Sequence, residues 1–413
     1  METKNKRVCI LGLGYIGLPT AALLADHGYD VIGVDINKDI VDKINLGNTH
    51  IIEADLDVLL KSSINSKKLR ASITPELSDI YIICVPTPFI YNENLPEPDI
   101  KYINAAIESI SCLIKPNDII ILESTSPVGT TESIYKTLKS KKINLESVYI
   151  AYCPERVLPG KTLSELISNS RIVGGINEIS SIKAAEFYKS FITGTIKTTD
   201  SKTAEMCKLT ENSFRDVNLA FANEIAIICQ NQGINVWNLI DLANHHPRVN
   251  ILQPGSGVGG HCIAVDPWFI VSQNFDSSKL IRTAREVNDY KPLWAYEKII
   301  ELAKKLEKNK KSTIVCFGAT FKPDIDDTRG SPALQIIKKL SDGNFNVVVS
   351  DPNIENYENL KFVPIKEAID MGDIFVILVK HKEFIENEFM KSLAGKTVID
   401  FCGASSHSIQ VEI

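Results

Sequence analysis

Short, unbroken apolar runs rich in β-branched residues recur through the first part of the chain: Arg7–Leu11, Val31–Asp35, Ile80–Val85, Ile119–Glu123 and Val148–Tyr152. A strand with no polar face has both faces covered, the condition of a parallel sheet between helix layers. Helix-length segments such as Pro19–His27 and Tyr102–Ile114 separate the runs. The alternation predicts a doubly wound α/β domain.

From about Thr203 to Arg285 the strand signal stops, and Glu205–Cys229 keeps helical spacing for more than about six turns. A helical connector is expected there, and long helices between two α/β units suit a dimer surface, so a homodimer is expected. The charged run Lys304–Lys311 reads as a helix end or linker. Apolar runs then restart at Thr313–Phe317, Asn346–Ser350, Ile374–Val379 and Val398–Phe401. Ile314–Gly318 echoes Val8–Gly12, and Val347–Asp351 echoes Val31–Asp35. The expected fold is therefore α/β, with two Rossmann-like doubly wound domains joined by a central helical domain. The boundaries fall at 1–200, 201–305 and 306–413.

A length of 413 residues fits several domains, and 44% hydrophobic with 23% charged residues is a globular balance. The net charge of −6 argues against a nucleic-acid partner. Nine cysteines without a CxxC read as a reduced, intracellular set. The short charged start fits no signal peptide, and no apolar run approaches the roughly 20 residues that span a bilayer. The chain is expected in the cytoplasm, without a membrane partner.

Gly12-Leu13-Gly14-Tyr15-Ile16-Gly17 follows a strand and opens a helix. The first glycine permits a tight turn, the second lets backbone approach a pyrophosphate, and the third lets helix and strand pack closely. The helix N-terminus adds N–H donors and partial positive charge for the phosphates. Asp35 closes the next strand, where its carboxylate suits a ribose 2′-OH and repels a 2′-phosphate. NAD is expected rather than NADP. Two further loops, Val85–Pro88 with Thr87 and Glu123–Thr130 with Thr125, follow strands at the edge where open α/β sheets bind ligands.

Gln253–Cys262 packs four glycines into the six positions 255–260 and ends on a cysteine. Glycine at that density suits backbone passing close to a ligand, because it costs entropy anywhere else. Free cysteine is ordinarily a buried small hydrophobe. The glycine loop and Asp266 four residues on make Cys262 a candidate nucleophile instead. Glu205, Lys208, Asn212 and Arg215 share a helical face. That spacing suits equally a solvated face with ion pairs and an oxyanion site served by Lys208 and Asn212. His245 and His246 lack companions at zinc spacing, and Asp324, Asp326 and Asp327 lack a calcium loop's glycine and terminal glutamate. No metal is expected.

Seven motifs taken together resemble the UDP-glucose/GDP-mannose dehydrogenase family over nearly the whole chain. They are GLGYIGLPTA (12–21), ILESTSPVGTTE (121–132), AYCPERVLPG (151–160), TAEMCKLTENSFRDVN (203–218), HPRVNILQPG (246–255), GVGGHCIAVDPWF (257–269) and FKPDIDD (321–327) with Arg329. The resemblance implies an N-terminal domain for NAD, central helices for the dimer and a C-terminal domain for UDP. It implies a four-electron oxidation of a UDP-sugar at C6, serving a uronate-containing surface polysaccharide. The 151–160 and 246–255 segments are similar to those of relatives that act on the N-acetylmannosamine sugar.

Carried over by motif, Cys262 is the nucleophile, Lys208 and Asn212 hold the oxyanion, and Asp266 positions water or assists protonation. Glu155 is the base for thioester hydrolysis, and Thr125 contacts the reacting region. The same resemblance assigns Arg156, Arg248, Asn250, Gly259, Phe321, Lys322 and Arg329 to substrate, Arg248 across a subunit boundary. Gly330, Ser256 and the Asp400–Gly403 segment depart from the family pattern, which bears on details of the UDP domain. Other UDP-sugars, namely N-acetylglucosamine, N-acetylgalactosamine or glucose, are the rival substrates. A silent nucleotide-sugar-binding regulator would be expected to lack Cys262 or Lys208. A two-electron hydroxyacid dehydrogenase would have no use for Cys262.

Overall fold

The computed structural model describes residues 6–51, 53–91, 95–158, 160–306 and 312–405. The end of the charged linker run, 307–311, lies outside them. The chain forms two compact units, Met1–Thr210 with Trp268–Gln273 and Glu211–Pro267 with Asn274–Ile413.

The first unit runs through β1 (Arg7–Leu11), α1 (Gly17–Asp26), β2 (Asp30–Val34), α2 (Lys38–Asn45), α3 (Leu56–Asn65), β3 (Leu69–Ser72) and β4 (Ile80–Ile83). A small antiparallel pair, β5 (Phe89–Tyr91) and β6 (Pro96–Pro98), leads to α4 (Lys101–Ile110), β7 (Ile119–Leu122), α5 (Thr130–Ser140) and β8 (Tyr149–Tyr152). Then come α6 (Thr162–Ser168), β9 (Arg171–Gly175), α7 (Glu178–Tyr188) and β10 (Ile196–Asp200). The main sheet has the order β10-β9-β8-β7-β4-β1-β2-β3. From β3 to β8 all pairings are parallel, the doubly wound arrangement. β9 reverses direction against β8, and β10 follows β9 in parallel.

The apolar runs are unbroken because each strand feeds two cores. Val8 and Ile10 of β1 pack with Leu18, Ala21 and Ala22 of α1 on one face. Cys9 and Leu11 pack with Ile103 and Ile107 of α4 on the other.

α8 (Ser201–Gln232) begins in the first unit and continues in the second. It is followed by α9 (Val236–Asn244), α10 (Asp266–Gln273) and α11 (Lys279–Lys305). The chain ends in β11 (Thr313–Phe317), α12 (Pro332–Asp342), β12 (Asn346–Ser350), α13 (Ile365–Met371), β13 (Ile374–Ile377), α14 (Asn387–Ser392) and β14 (Val398–Asp400). The second sheet, β12-β11-β13-β14, is parallel throughout. Its strands also divide their side chains between two cores, Ile314 and Cys316 to one, Val315 and Phe317 to the other. Among the described residues no helix is long and apolar enough to cross a membrane.

Candidate active site

In the first unit the turn after β1 has the shape a pyrophosphate needs. Gly12 has φ +94°, and a Cβ there would lie 2.6 Å from Cys84 O. A Cβ on Gly17 would lie 1.8 Å from Gly12 O, so the helix packs on the strand only with glycine at that position. A Cβ on Gly14 would meet nothing within 4 Å. That glycine borders open space, and the N-cap residue of α1, Ile16, makes no side-chain cap bond. Tyr15 is exposed and Ile16 half-buried on the same turn. Asp35, half-buried, accepts N–H bonds from Leu13 (3.1 Å) and Asn37 (2.9 Å), which fixes its carboxylate at the end of β2. These residues fit the pyrophosphate and ribose of NAD.

The loops holding Thr87 and Thr125 are tied together. Ser124 Oγ donates to Val85 O at 2.7 Å, and Thr87 and Thr125 are both half-buried. The second loop is held from α8: Glu205 accepts from Gly129 N (2.6 Å), Thr131 N (2.8 Å) and Thr131 Oγ1 (2.6 Å). Burial raises the Glu205 carboxyl, and those hydrogen bonds work against the rise. Glu205 was one of four side chains for which a solvated face was an equal reading. Instead it is buried, with Lys208 and Asn212 beside it on α8, while Arg215 is exposed. The buried polar face continues through Asp216.

Lys208 Nζ donates to Glu155 O at 3.0 Å, which joins two of the predicted residues. The Glu155 carboxylate accepts from Arg156 N (2.6 Å) and pairs with Arg171 Nη2 (2.7 Å). The Arg156 guanidinium donates to Ser170 O.

In the second unit Cys262 is exposed at the end of the glycine loop. Its carbonyl accepts from Asp266 N at 2.8 Å, closing the turn that starts α10. The Asp266 carboxylate accepts from Asn212 Nδ2 at 2.5 Å. Asn212, Asp266 and the Cys262 backbone therefore form one connected group. The head of the loop is fixed through a buried polar chain: Gly255 N donates to Asn223 Oδ1 (3.0 Å), and Asn223 Nδ2 to Asn288 Oδ1 (2.9 Å). Asn288 Nδ2 in turn donates to Asp216 Oδ1 (2.8 Å), which also pairs with Arg285 (2.5 Å). Burial pushes the Asp216 carboxyl up to about 6, against the pull of Arg285.

The glycine loop packs on the predicted nucleotide loop. A Cβ on Gly259 would lie 2.5 Å from Gly330 O, and one on Gly260 would lie 2.9 Å from the Phe321 ring. Gly260 N donates to Arg329 O at 3.3 Å. Gly259, Phe321 and Arg329 are thus brought together, with Lys322 half-buried beside Phe321. The Arg329 guanidinium is engaged by Asp327 (2.7 Å). Behind this loop stands His381, which no motif singled out. It accepts from Asp324 N at Nδ1 (3.0 Å), so Nε2 carries the proton toward Asp351 Oδ2 (3.2 Å) and Thr320 Oγ1 (3.2 Å). Arg248 and Asn250 are exposed on a separate loop, closed where Asn244 exchanges hydrogen bonds with Ile251 N (2.7 Å) and O (3.0 Å).

Three family models together match most of the chain. They are the NAD binding domain, central domain and UDP binding domain of the UDP-glucose/GDP-mannose dehydrogenase family, over 6–192, 202–290 and 315–407. A UDP-N-acetyl-D-mannosamine dehydrogenase of Campylobacter jejuni is 50% identical over 419 residues, covering 97% of this chain and 100% of that one. Its namesake from Escherichia coli (strain K12) is 49% identical over 397 residues, covering 91% and 94%. Among solved structures, a UDP-D-ManNAc dehydrogenase from Pyrococcus horikoshii superposes with a TM-score of 0.88 at 39% identity, covering 96% of each chain.

Proposed function

The chain belongs to the UDP-glucose/GDP-mannose dehydrogenase family, and on that premise we propose that it oxidises UDP-N-acetyl-D-mannosamine at C6 to UDP-N-acetyl-D-mannosaminuronate. In this reading 1–200 bind NAD, 201–305 form a helical dimerisation domain and 306–413 bind the UDP-sugar. The names of the relatives support the sugar, and the glycine turn with Asp35 supports the cofactor. Bound NAD supplies the hydride acceptor for both oxidations.

The chain's own residues do the rest. Once C6 is an aldehyde, the Cys262 thiolate adds to it, because an aldehyde has no hydride to lose toward an acid until a nucleophile has been captured. Lys208 and Asn212 stabilise the resulting oxyanion, the ammonium by charge and the amide by N–H donation. Loss of the second hydride leaves a thioester on Cys262. Glu155 takes a proton from water as it attacks the thioester, and Cys262 departs as thiolate. Asp266 positions that water, and Thr125 contacts the reacting region. Arg156, Arg248, Asn250, Gly259, Phe321, Lys322 and Arg329 hold the nucleotide sugar, with Arg248 serving a partner's site.

The observation that carries this reading is the Asn212–Asp266–Cys262 group: Asn212 of α8 donates to the Asp266 carboxylate, and Asp266 N closes the turn on the Cys262 carbonyl. The test is turnover with NAD and UDP-N-acetyl-D-mannosamine, following NADH and product mass. Two NADH per sugar with a carboxylate product are expected. Turnover only with another UDP-sugar would correct the substrate and leave the chemistry. Cys262→Ser should stop acid formation, and full turnover by that variant would remove the covalent role.

A homodimer through α8 and a cytoplasmic location belong to the same proposal. Phe214, Phe221 and Ile228 recur every seven residues and are exposed along that helix, an apolar stripe suited to a second copy. Analytical ultracentrifugation that finds only monomer would remove the dimer.

A further inference from the structure

Arg171 opens β9, the strand that reverses the direction of the first sheet. Its ladder with β8 pairs Ala151 with Gly175 and Tyr152 with Gly174. Continued beyond the end of β8, that register sets Glu155 across from Arg171. The side chains meet as the register requires: Arg171 Nη2 is 2.7 Å from Glu155 Oε2, and Nη1 is 3.8 Å from Glu123 Oε1. All three are buried, with side-chain exposures of 4%, 8% and 1%.

Other groups close the cluster. Tyr188 Oη donates to Glu123 Oε1 (2.5 Å), and Cys84 Sγ to Glu123 Oε2 (3.2 Å). The Arg171 guanidinium lies 4.9 Å from the centre of the Tyr188 ring and 3.8 Å from Cys153 Sγ. Lys208 Nζ and Arg156 N hold Glu155 from its backbone oxygen and its other carboxylate oxygen. Burial raises Glu123, Cys84, Cys153 and Tyr188 alike, and for Glu123 the Arg171 charge and the bonds from Tyr188 and Cys84 work against the rise. Of the two carboxylates, Glu155 lies nearer the buried guanidinium, at 2.7 Å against 3.8 Å for Glu123.

A buried ion pair is poor value as a source of stability, because apolar residues of the same volume serve as well or better. This one stands at the carboxyl edge of the parallel strands, where open α/β sheets bind ligands. We infer that Arg171 is the positioning residue of Glu155, fixing that carboxylate for the hydrolytic step and not for the hydride transfers. The inference rests on the reading of Glu155 as the base that hydrolyses the thioester. In that step water's oxygen bonds to C6, the C6–S bond breaks, the proton goes to Glu155 and no electrons change hands.

The test uses the full-length enzyme with NAD and UDP-N-acetyl-D-mannosamine, quenched in acid and weighed intact. Arg171→Gln should keep the NADH burst and KM while kcat falls roughly 100-fold, in the range of a misplaced general base. Acyl-enzyme should accumulate on Cys262. Arg171→Lys keeps a cation that cannot span both carboxylates, and should accumulate acyl-enzyme to a smaller extent. This second variant decides the matter if the glutamine protein does not fold. Burst and hydrolysis falling in equal proportion, or no acyl-enzyme in either variant, would overturn the positioning role. Glu155→Gln separates the two claims: it too should accumulate acyl-enzyme. If it hydrolyses at the native rate, the base is another group and the inference falls with it. If it accumulates while the Arg171 variants do not, only the inference is lost.

Discussion

After β1, Gly12 (φ +94°) donates to Val34 O at 2.8 Å; after β11, Gly318 (φ +94°) donates to Ser350 O at 2.9 Å. In both places the next amide goes to the acid that ends the following strand, Leu13 N to Asp35 (3.1 Å) and Ala319 N to Asp351 (2.7 Å). The same backbone device then serves two purposes. In the first unit the helix starts at once, at Gly17, with no side-chain cap from its N-cap residue Ile16 and with Asp35 half-buried. In the second, 318–331 intervene before α12, whose N–H at Leu334 is capped by Ser331 Oγ at 3.2 Å. The Asp351 side chain is fully buried against His381. One crossover leaves its N-cap residue without a side-chain cap and its acid half-buried. The other uses its cap and its acid to hold a loop that carries Phe321, Lys322 and Arg329.

The largest loss is expected where the helix approaches the turn most closely. Gly17→Ala puts a Cβ into the Gly12 carbonyl, and should cost about 3 kcal/mol or more in urea unfolding even without ligand. Gly14→Ala is the control. Its Cβ meets only open space, so the unliganded protein should unfold as the native one does. NAD affinity in a titration should nevertheless fall about tenfold or more, or about 1.4 kcal/mol. If Gly14→Ala binds NAD as tightly as the native chain, the open space beside it is not the pyrophosphate site.

Next in size is the pair of acids. Asp351→Asn removes the charge facing a buried imidazole and should cost about 1–3 kcal/mol at neutral pH. Burial works to raise this carboxyl, but the bonds from His381, Ala319 and Asn353 outweigh it and hold it below the free value of 3.8. A carboxyl depressed in the folded state contributes fully above its unfolded pKa, and the contribution is lost as pH falls through the folded value. The gap between native and Asp351→Asn should therefore be constant from neutral pH down to about 4 and close below it. Asp35→Asn should cost about 1 kcal/mol or less in stability, and should show instead as weaker preference for NAD over NADP. Equal stability losses at the two positions would mean that they do the same work.

What the sequence displayed was whatever has a local period. β1, β11 and β12 have the expected bounds, because a strand buried on both faces has to be apolar throughout. β9 and β10 gave no such signal. β9 begins on a charge and ends on Gly174 and Gly175, where a Cβ would come within 2.3 and 2.4 Å of neighbouring backbone, and β10 is a polar edge, Ile196–Asp200. The reversal that sets Arg171 opposite Glu155 was hidden for that reason. The site divides in the same way. Glycine turns and the cysteine loop are contiguous and stand out. Glu205 and Gly129 lie 76 residues apart, and Asp216 and Arg285 lie 69 apart, so neither pairing has any trace in local spacing. His381 sits 57 residues from Asp324, so its place behind the loop has no trace in local spacing either.

The smallest expected effect is at the cap that only one crossover possesses. Ser331→Ala deprives Leu334 N of its acceptor, and should cost about 1 kcal/mol. Ser331 is buried, so its removal also loses packing contacts, and the alanine variant alone does not isolate the cap. Ser331→Gly separates the two. Glycine is tolerated at a cap to within a few tenths of a kcal/mol of serine, because its backbone amide can be solvated or repositioned, yet it removes more side chain than alanine does. A cap therefore predicts that alanine is the worse substitution, and packing predicts that glycine is. α1 has no such residue to lose, and NAD binding should be the same in all three proteins. If glycine proves the more costly, α12 is held by packing, and the contrast between a capped and an open helix N-terminus reduces to the difference between Asp35 and Asp351.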